Sequence, residues 1–292
     1  MLTGIKMAFV GGDARMLEVV RYVSDLDATM SLCGFEHATI EYPDTRKCLL
    51  TPEVLSDVAA VVLPVAGMSD DGVVEAKFAD AHLTLTDEHF AAIPKAALIF
   101  TGIARPALAS VARKHGLHLV RLMELDEVAI LNSIPTAEGA IALAMEHTQI
   151  TLHGSRCVVL GLGRCGVTLA RTLAGIGAKV SVCARKPADL ARIAEMGLTP
   201  YALQDMETAL EDADVIFNTI PAPILTSDVL THIPRSSVII DIASAPGGTD
   251  FRFAEKRGIQ AILAPSLPGM VAPKTAGRII ARTIARMLLE QA

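Results

Sequence analysis

The fold of this chain is indicated by Val158-Val159-Leu160-Gly161-Leu162-Gly163-Arg164-Cys165-Gly166, an apolar run that leads into glycine-x-glycine-x-x-glycine. An apolar strand, this turn and a following helix are typical of the first unit of a doubly wound sheet that binds a dinucleotide. Gly161 permits the tight turn, Gly163 lets the backbone approach a pyrophosphate, and Gly166 lets the helix pack on the strand. We expect the pyrophosphate at the N-terminus of this helix, beside Arg164 and Cys165.

The same alternation extends over the whole chain. Short apolar runs of strand length alternate with amphipathic segments of helical period. Such a pattern predicts parallel sheets covered on both faces. We therefore predict an α/β protein with two doubly wound, Rossmann-like domains and a cleft between them. The expected strands are 6–10, 30–35, 58–64, 83–85, 97–101 and 117–122 in the first half, and 156–160, 179–184, 215–219, 238–242 and 261–263 in the second.

Two long helical segments stand outside this alternation. One is predicted over 136–147, between the two halves, and the other over 273–290, where Ile280, Ile284 and Leu288 follow the spacing of one buried face. We expect an N-terminal, substrate-side domain over 1–135, with the helix 273–292 packing back onto it. The linking helix and an NAD(P)-binding domain are expected over 136–272.

Composition argues against several classes of protein. Of the 292 residues, 51% are hydrophobic and 20% are charged, which excludes a disordered chain. The net charge of −6 and the absence of Trp argue against a nucleic-acid partner. Since no run reaches about 18 apolar residues, no membrane partner is expected. The N-terminus has no signal-peptide pattern and the five cysteines form no Cys-x-x-Cys pair, so we expect a cytoplasmic protein without a metal site.

The end of the second strand of the predicted nucleotide domain bears on the choice of cofactor. NAD enzymes usually place Asp or Glu there, where the carboxylate accepts a hydrogen bond from the ribose 2′-hydroxyl. Here that place is taken by Ala184, followed by Arg185 and Lys186. Two cations favour NADP, with Arg185 binding its 2′-phosphate, and NAD is the alternative. An exposed basic turn without a ligand is a further interpretation.

Polar residues follow two other predicted strands. Asn218, Thr219 and Pro221 end one of them, and ligands of doubly wound sheets bind beyond the carboxyl ends of strands. We expect these three residues to contact the nicotinamide ribose or the substrate, unless they only cap the strand. In the loop after the next strand, Ser244 and Gly248 are candidate substrate ligands, and the same glycine could simply make the turn.

Three residues are candidates for catalysis. Asp250 closes the same loop, either as a general acid or base or as the N-cap of a helix. Glu138 lies in the first turn of the predicted linking helix, either as a partner of the helix dipole or as a general acid or base. Lys274 lies in the first turn of the C-terminal helix, where a cation is unfavourable unless it meets an anion. We therefore predict that Lys274 binds a substrate carboxylate.

The remaining candidate substrate ligands lie near predicted helix starts, because polar groups at a helix N-terminus bind carboxylates well. Arg15, after the first strand, is expected to bind a carboxylate, and Asp13 is expected at the same site or as an N-cap. The other four candidates are Asn132, Ser133, Thr136 and Thr275.

Taken together, these motifs resemble the A-subunit family of dipicolinate synthase. The resemblance covers almost the whole chain. In chain order, it is carried by the segments 11–15, 132–136, 153–166, 218–221, 246–250 and 267–277. Ser266 stands where the family pattern leads us to expect glycine, and this departure could alter its loop.

The resemblance implies an activity and a partner. Members of this family act with a second, flavoprotein-like component of dipicolinate synthase, its B-subunit, in the mother cell of spore-forming bacteria. A hetero-oligomer or a homo-oligomer is therefore expected. The implied substrate is dihydrodipicolinate, a reduced pyridine-2,6-dicarboxylate from the lysine pathway. Its oxidation to dipicolinate passes a hydride to NADP⁺ and supports sporulation.

Two alternatives remain open. The chain could be a noncatalytic NADP-binding subunit that requires the flavoprotein-like component for turnover. It could also be an NADP-dependent dehydrogenase of another small carboxylic acid, similar in its second domain to shikimate or methylenetetrahydrofolate dehydrogenases.

Overall fold

The computed structural model describes residues 1–291. The chain divides into two compact units, which are described separately. Unit 1 comprises Met1–Leu131 together with the chain from Ala272 onward, and unit 2 comprises Asn132–Val271. The predicted fold class is confirmed, because each unit contains a six-stranded parallel sheet with helices between most of its successive strands.

Unit 1 begins with a βαβ unit. In chain order its elements up to the end of the sheet are β1 (Lys6–Val10), α1 (Ala14–Ser24), β2 (Thr29–Cys33), β3 (Thr45–Lys47), α2 (Pro52–Leu55), β4 (Ala60–Val62), β5 (Val73–Val74), β6 (Leu83–Thr84), α3 (Asp87–Ala92), β7 (Leu98–Thr101), α4 (Pro106–His115) and β8 (His118–Arg121). The sheet order is β3-β2-β1-β4-β7-β8, and all of its strands are parallel.

Unit 2 repeats this topology after the long helix α5 (Asp126–His147) that leads into it. Its elements are β9 (Arg156–Leu160), α6 (Arg164–Gly175), β10 (Lys179–Ala184), α7 (Pro187–Glu195), β11 (Thr199–Ala202), α8 (Met206–Leu210), β12 (Val215–Asn218), α9 (Ser227–Leu230), β13 (Val238–Asp241), α10 (Phe251–Arg257), β14 (Gln260–Leu263) and α11 (Leu267–Val271). The sheet order is β11-β10-β9-β12-β13-β14, again parallel throughout.

Each sheet reverses its direction of winding once. The reversal lies between β1 and β4 in unit 1 and between β9 and β12 in unit 2. The crevice at such a switch point, outside the carboxyl ends of the strands, is where doubly wound sheets bind ligands. In unit 2 the register places Leu160 beside both Cys183 and Asn218, and Asn218 beside Asp241. The ends of four neighbouring strands are therefore level, and the loops that follow them meet at one edge of the sheet.

One predicted strand differs from the structure, and two strands of the structure have no counterpart in the prediction. Segment 83–85 forms β6 of a separate antiparallel hairpin with β5, rather than a strand of the parallel sheet. The pattern of apolar runs does not predict the edge strands β3 and β11, because β3 is short and polar and β11 is short and contains Pro200. A strand at the edge of a sheet buries less surface than a central one, so its apolar signal is weak.

The linking helix is ten residues longer than the sequence predicts. The pattern predicts a start at Thr136, after Pro135, but α5 begins at Asp126 and contains Pro135 in its interior. Proline usually marks a helix start because it lacks an N–H, yet a long helix packed in a core tolerates the loss of one hydrogen bond. By length and apolar composition α5 would be able to cross a membrane, but half of its apolar window is buried inside the protein, as in a core helix.

The C-terminal helix α12 (Pro273–Gln291) packs on α1 in unit 1. Its apolar side chains Ile280, Ile284 and Leu288 are buried in the same core as Val19 and Val23 of α1. Their spacing of four residues places them on one face of the helix.

Candidate functional site

A cavity of about 530 Å³ lies at the carboxyl ends of the strands of unit 2. Three segments form its walls: the glycine-rich turn, the end of β10 with the start of α7, and the turn after β12. The lining residues are Gly161, Leu162, Gly163, Ala184, Arg185, Lys186, Asp189, Leu203, Ile220, Pro221, Ala222 and Ile224. The cavity thus occupies the switch point at which this topology binds nucleotides.

The three glycines of the turn have three different structural roles. Gly161 has a φ of +99°, and a Cβ atom there would lie 2.6 Å from Oγ1 of Thr219. On Gly166 a Cβ atom would lie 2.1 Å from the carbonyl oxygen of Gly161, so helix and strand can approach only at a glycine. On Gly163 it would meet no protein atom within 4 Å. The open space beside Gly163, at the cavity, fits the close approach of a pyrophosphate.

The N-terminus of α6 completes this cradle. Gly163 is the N-cap residue and has no side chain with which to cap the helix. Arg164 and Cys165 form its first turn, where backbone N–H groups and the helix dipole favour an anion. Burial raises the pKa of the Cys165 thiol, so this side chain adds no negative charge beside a phosphate at neutral pH.

The cavity wall at the end of β10 contains a residue that the sequence interpretation missed. Arg185 and Lys186 line the wall as predicted for a 2′-phosphate site, but Asp189 of α7 lines it as well. The prediction from sequence rests only on Ala184, Arg185 and Lys186 and does not include this carboxylate. Asp189 stands five residues beyond Ala184, and only the turn into α7 brings it back to the cavity. The wall carries two cations and one carboxylate.

Of the residues predicted after β12, only Pro221 lines the cavity. Asn218 is fully buried, and its amide donates to the carbonyl of Ile220 at 3.2 Å and to Oδ1 of Asp241 at 3.1 Å. The hydroxyl of Thr219 donates to the carbonyl of Leu160 at 2.8 Å. Both side chains shape the turn that supports the cavity wall. The expectation that Asn218 contacts a ligand therefore needs correction, because Asn218 is fully buried, whereas a ligand contact of the half-buried Thr219 stays a prediction.

Asp241 is a second residue that the sequence interpretation missed. It ends β13, is fully buried, and accepts hydrogen bonds from four donors. The sequence offers one signal for it: an acidic residue at the end of an apolar strand, just before a glycine-containing loop. An isolated carboxylate in such a place must be hydrogen-bonded or paired, since burying an unsatisfied charge is very costly.

The loop after β13 is arranged around this carboxylate. The backbone N–H of Gly248 donates to Asp241 at 3.1 Å, so Gly248 is part of the loop's internal structure. Ser244 is exposed at the loop surface. Asp250 is the N-cap of α10 and accepts from the N–H of Phe253 at 2.9 Å. The structure thus shows the N-cap, one of the two alternatives for Asp250, and an acid–base role of this exposed carboxylate stays a prediction.

In unit 1, Asp13 and Arg15 hold each other at the end of β1. Asp13 caps α1 and accepts from the N–H of Arg15 at 2.9 Å, while Nε and Nη2 of Arg15 donate to both carboxylate oxygens at 2.5–3.0 Å. Burial acts to raise the pKa of Asp13, but the hydrogen bonds and charge of Arg15, with the charge of Lys77, outweigh it and lower the pKa. Asp13 therefore orients Arg15, whose Nη1 takes no part in this pairing.

The other candidates of unit 1 lie at the start of α12. Lys274 and Thr275 are exposed in its first turn, as the sequence predicts. A cation at this end of a helix is not stabilised by the dipole, so its position still favours an anionic partner.

The polar residues predicted to open the linking helix lie inside it instead. Ser133 contacts the hydroxyl of Thr168 at 2.6 Å, and the hydroxyl of Thr136 donates to the carbonyl of Asn132 at 2.8 Å. The prediction that backbone N–H groups at these residues bind a carboxylate is therefore wrong. Their N–H groups lie in the interior of α5, not at a helix start. Glu138, also in α5, is exposed.

No group of three or more His, Cys, Asp or Glu side chains that could hold a metal ion occurs in residues 1–291.

Comparisons with known proteins agree with this division of the chain. Residues 6–123 match the family model of the N-terminal domain of the dipicolinate synthase A-subunit. Residues 136–246 match the model of the D-isomer specific 2-hydroxyacid dehydrogenase, NAD binding domain. Transhydrogenase from Sinorhizobium meliloti has a similar fold at 14% identity, with a TM-score of 0.67 over 97% of this chain and 94% of that one.

Two relatives match over nearly the full length. The A-subunit of dipicolinate synthase from Bacillus subtilis (strain 168) is 45% identical over 290 residues, which are 99% of this chain and 98% of that protein. The crystal structure of the corresponding protein from Bacillus halodurans is 46% identical, with a TM-score of 0.96 over 99% of both chains. The chain therefore belongs to the A-subunit family of dipicolinate synthase.

Proposed function

We propose that this protein oxidises dihydrodipicolinate to dipicolinate with NADP⁺ as the hydride acceptor. The observation that carries the proposal is the cavity of unit 2, where the open side of Gly163, the start of α6 and Arg185 lie together. Membership of the dipicolinate synthase family supports the choice of substrate. The match of residues 136–246 to the NAD-binding domain of a dehydrogenase supports the choice of reaction.

The residues of the cavity fit a dinucleotide in three respects. Glycine at 163 leaves room for a pyrophosphate, and the N-terminus of α6 offers N–H donors to its oxygens. Arg185 suits a 2′-phosphate, because its planar fork binds phosphate oxygens in pairs. Bound NADP⁺ would accept a hydride from the substrate. Asp189 on the same wall suits a free ribose hydroxyl better than a phosphate, so NAD is retained as an alternative cofactor.

The reaction itself needs orientation more than an activated nucleophile. Dihydrodipicolinate loses one hydride and one proton, and the product gains an aromatic ring that supplies driving force. The protein must hold two carboxylates and accept the proton. We assign carboxylate binding to Lys274, with Thr275 beside it, and to Arg15, which Asp13 orients. Glu138 is the proposed proton acceptor, since it is exposed and, unlike the equally exposed Asp250, does not cap a helix.

The family assignment also suggests a setting for the reaction. Its members are named as one component of a two-component synthase, so we propose that the active form is a hetero-oligomer with the flavoprotein-like B-subunit. A homo-oligomer is the alternative. We place the protein in the cytoplasm of the mother cell of a spore-forming bacterium. The loss of a hydroxyl from the precursor as water, if it occurs on this enzyme, would use Glu138 as the acid.

The deciding experiment supplies purified chain, NADP⁺ and freshly generated dihydrodipicolinate, and follows the absorbance of reduced nicotinamide. Dipicolinate is identified separately by mass spectrometry, and NAD⁺ is run in parallel. Product formed in proportion to reduced cofactor supports the proposal. Dipicolinate formed at the same rate without cofactor would contradict it. Turnover that requires the flavoprotein-like component, with cofactor binding intact beforehand, would support the alternative of a noncatalytic NADP-binding protein.

A further inference from the structure

The buried carboxylate of Asp241 accepts four hydrogen bonds, each from an uncharged donor. Its Oδ1 accepts from Nδ2 of Asn218 at 3.1 Å and from the N–H of Ala243 at 3.0 Å. Its Oδ2 accepts from the N–H of Gly248 at 3.1 Å and from the hydroxyl of Thr249 at 2.6 Å. Each partner donates, so the arrangement matches an ionised carboxylate, which only accepts, rather than a carboxylic acid, which must donate once.

This carboxylate does not line the cofactor cavity itself, but it binds residues that contact the cavity wall. Asn218, which it binds, also accepts from the N–H of Ile220 at 3.0 Å and donates to the Ile220 carbonyl, and Ile220 lines the cavity. Gly248, which it also binds, packs against the same wall, since a Cβ atom there would lie 2.8 Å from the carbonyl of Ile220 and 2.7 Å from that of Ala222. Asp241 therefore joins the loop after β12 to the loop after β13.

The order of the strands indicates which end of the cofactor would lie at this wall. Arg185 follows β10, the glycine turn follows β9, and Ile220 follows β12, with β13 next in the sheet. A dinucleotide with its ribose phosphate at Arg185 and its pyrophosphate at the glycine turn extends its nicotinamide end toward β12 and β13. This step rests on the proposed function.

We propose that Asp241 is a positioning residue whose buried negative charge also favours the oxidised cofactor over the reduced one. The oxidised nicotinamide ring is positively charged and the reduced ring is neutral, so a nearby buried anion stabilises only the oxidised form. Such an interaction is strong where protein rather than water separates the charges. For an enzyme that starts from the oxidised cofactor, this difference favours binding of the reactant and release of the reduced product.

The test compares the Kd of NADP⁺ with that of NADPH in Asp241→Asn, using titration calorimetry without substrate. Asparagine keeps the size of the side chain and removes its charge. We expect the ratio of the Kd for NADP⁺ to that for NADPH to rise at least about threefold over the native protein.

Two controls separate charge from packing. Thr249→Ala removes one donor and keeps the carboxylate, and Asp214→Asn removes a carboxylate at the opposite, amino end of β12, where Asp214 accepts from the N–H of Arg156 at 2.7 Å. Both controls should leave the ratio unchanged. Equal loss of affinity for both cofactors in Asp241→Asn, or a shift as large in Thr249→Ala, overturns the proposal.

If Asp241→Asn does not fold, the exchange variant Asn218→Asp/Asp241→Asn keeps one charge and one amide in the pair. This variant should retain the native ratio of the two Kd values. A rise of at least about threefold in the Kd for NADP⁺ relative to that for NADPH overturns the proposal. Native protein that binds neither cofactor would remove the proposed function. If the native protein binds both cofactors and the ratio of their Kd values is unchanged in Asp241→Asn, the role of Asp241 is disproved while the proposed function stands.

Discussion

A Cβ atom on Gly166 would lie 2.1 Å from the carbonyl oxygen of Gly161, well inside any contact distance. The obstacle is backbone, so the start of α6 would have to move away from β9. We expect Gly166→Ala to lower the free energy of unfolding by about 1–3 kcal/mol, as overpacking in a core does. Chemical denaturation checks this. Gly175→Ala at the far end of α6 is the matched control, since no atom lies within 4 Å of its Cβ position. It should stabilise by up to about 1 kcal/mol, because alanine is the better helix former.

Gly163→Ala should separate binding from stability. The added Cβ atom meets no protein atom within 4 Å, but alanine is a poorer N-cap than glycine, so the free energy of unfolding should fall by no more than about 1 kcal/mol. The same methyl group would occupy the space assigned to the pyrophosphate, and we expect cofactor affinity to fall at least about tenfold, equivalent to ~1.4 kcal/mol. Titration calorimetry with NADP⁺ measures the effect. Unchanged affinity would show that no pyrophosphate approaches this turn.

The choice between NADP and NAD should depend on Arg185 and Asp189 in opposite directions. Arg185→Asp should weaken NADP⁺ much more than NAD⁺, because it replaces a phosphate ligand by a repelling charge. Asp189→Asn should instead strengthen NADP⁺ relative to NAD⁺ by a few-fold, since a carboxylate leaves the same wall. The Kd values of both cofactors are measured for each variant. Equal weakening of both cofactors by Arg185→Asp would remove this account of the choice.

Carboxylate binding by Lys274 predicts a change confined to the substrate. Lys274→Gln should raise the KM for dihydrodipicolinate at least about tenfold while the Kd of NADP⁺ stays unchanged, because Lys274 belongs to unit 1 and the cavity to unit 2. Arg282→Gln removes an equal charge from an exposed position of the same helix and should leave the KM as it is. An equal rise in both variants would indicate a general effect of net charge.

The pairing of α1 with α12 predicts a loss of stability in acid. Glu18 of α1 is buried and binds Arg21 at 2.8 Å and Arg278 of α12 at 3.1 Å. The hydrogen bond from Arg21 lowers the pKa of Glu18 against the opposing effect of burial, and Arg278 adds to the lowering. Since the folded pKa lies below the unfolded value, of about 4.3, this stabilisation is complete above that value and is lost as the pH falls through the folded pKa.

Glu18→Gln should therefore lower the free energy of unfolding at pH 7 by about 1–3 kcal/mol and flatten its decline below about pH 4. Denaturation at a series of pH values checks both effects. Glu290→Gln removes an exposed partner of Arg286 on the same helix, and it should cost no more than about 1 kcal/mol. If the free energy of unfolding of Glu18→Gln falls as steeply in acid as that of the native protein, other carboxyl groups cause the decline.

The sequence by itself determined the architecture and the location of the cofactor turn. Central strands of both sheets are apolar on both faces, and the spacing of Gly161, Gly163 and Gly166 is legible without a structure, because each signal lies within a few consecutive residues. The first-turn position of Lys274 follows in the same way from Pro273 and the helical period of the residues after it.

Tertiary structure decided the polar contacts of the site. Asp189 reaches the cavity through the turn into α7, and Asp241 binds Asn218 across 23 residues of chain. Packing in the core carries α5 through Pro135, which removes Ser133 and Thr136 from the helix start where local pattern had placed them. Local sequence encodes the elements through periodicity and turn chemistry, whereas a buried polar group takes its partners from whichever strands the folded sheet places beside it.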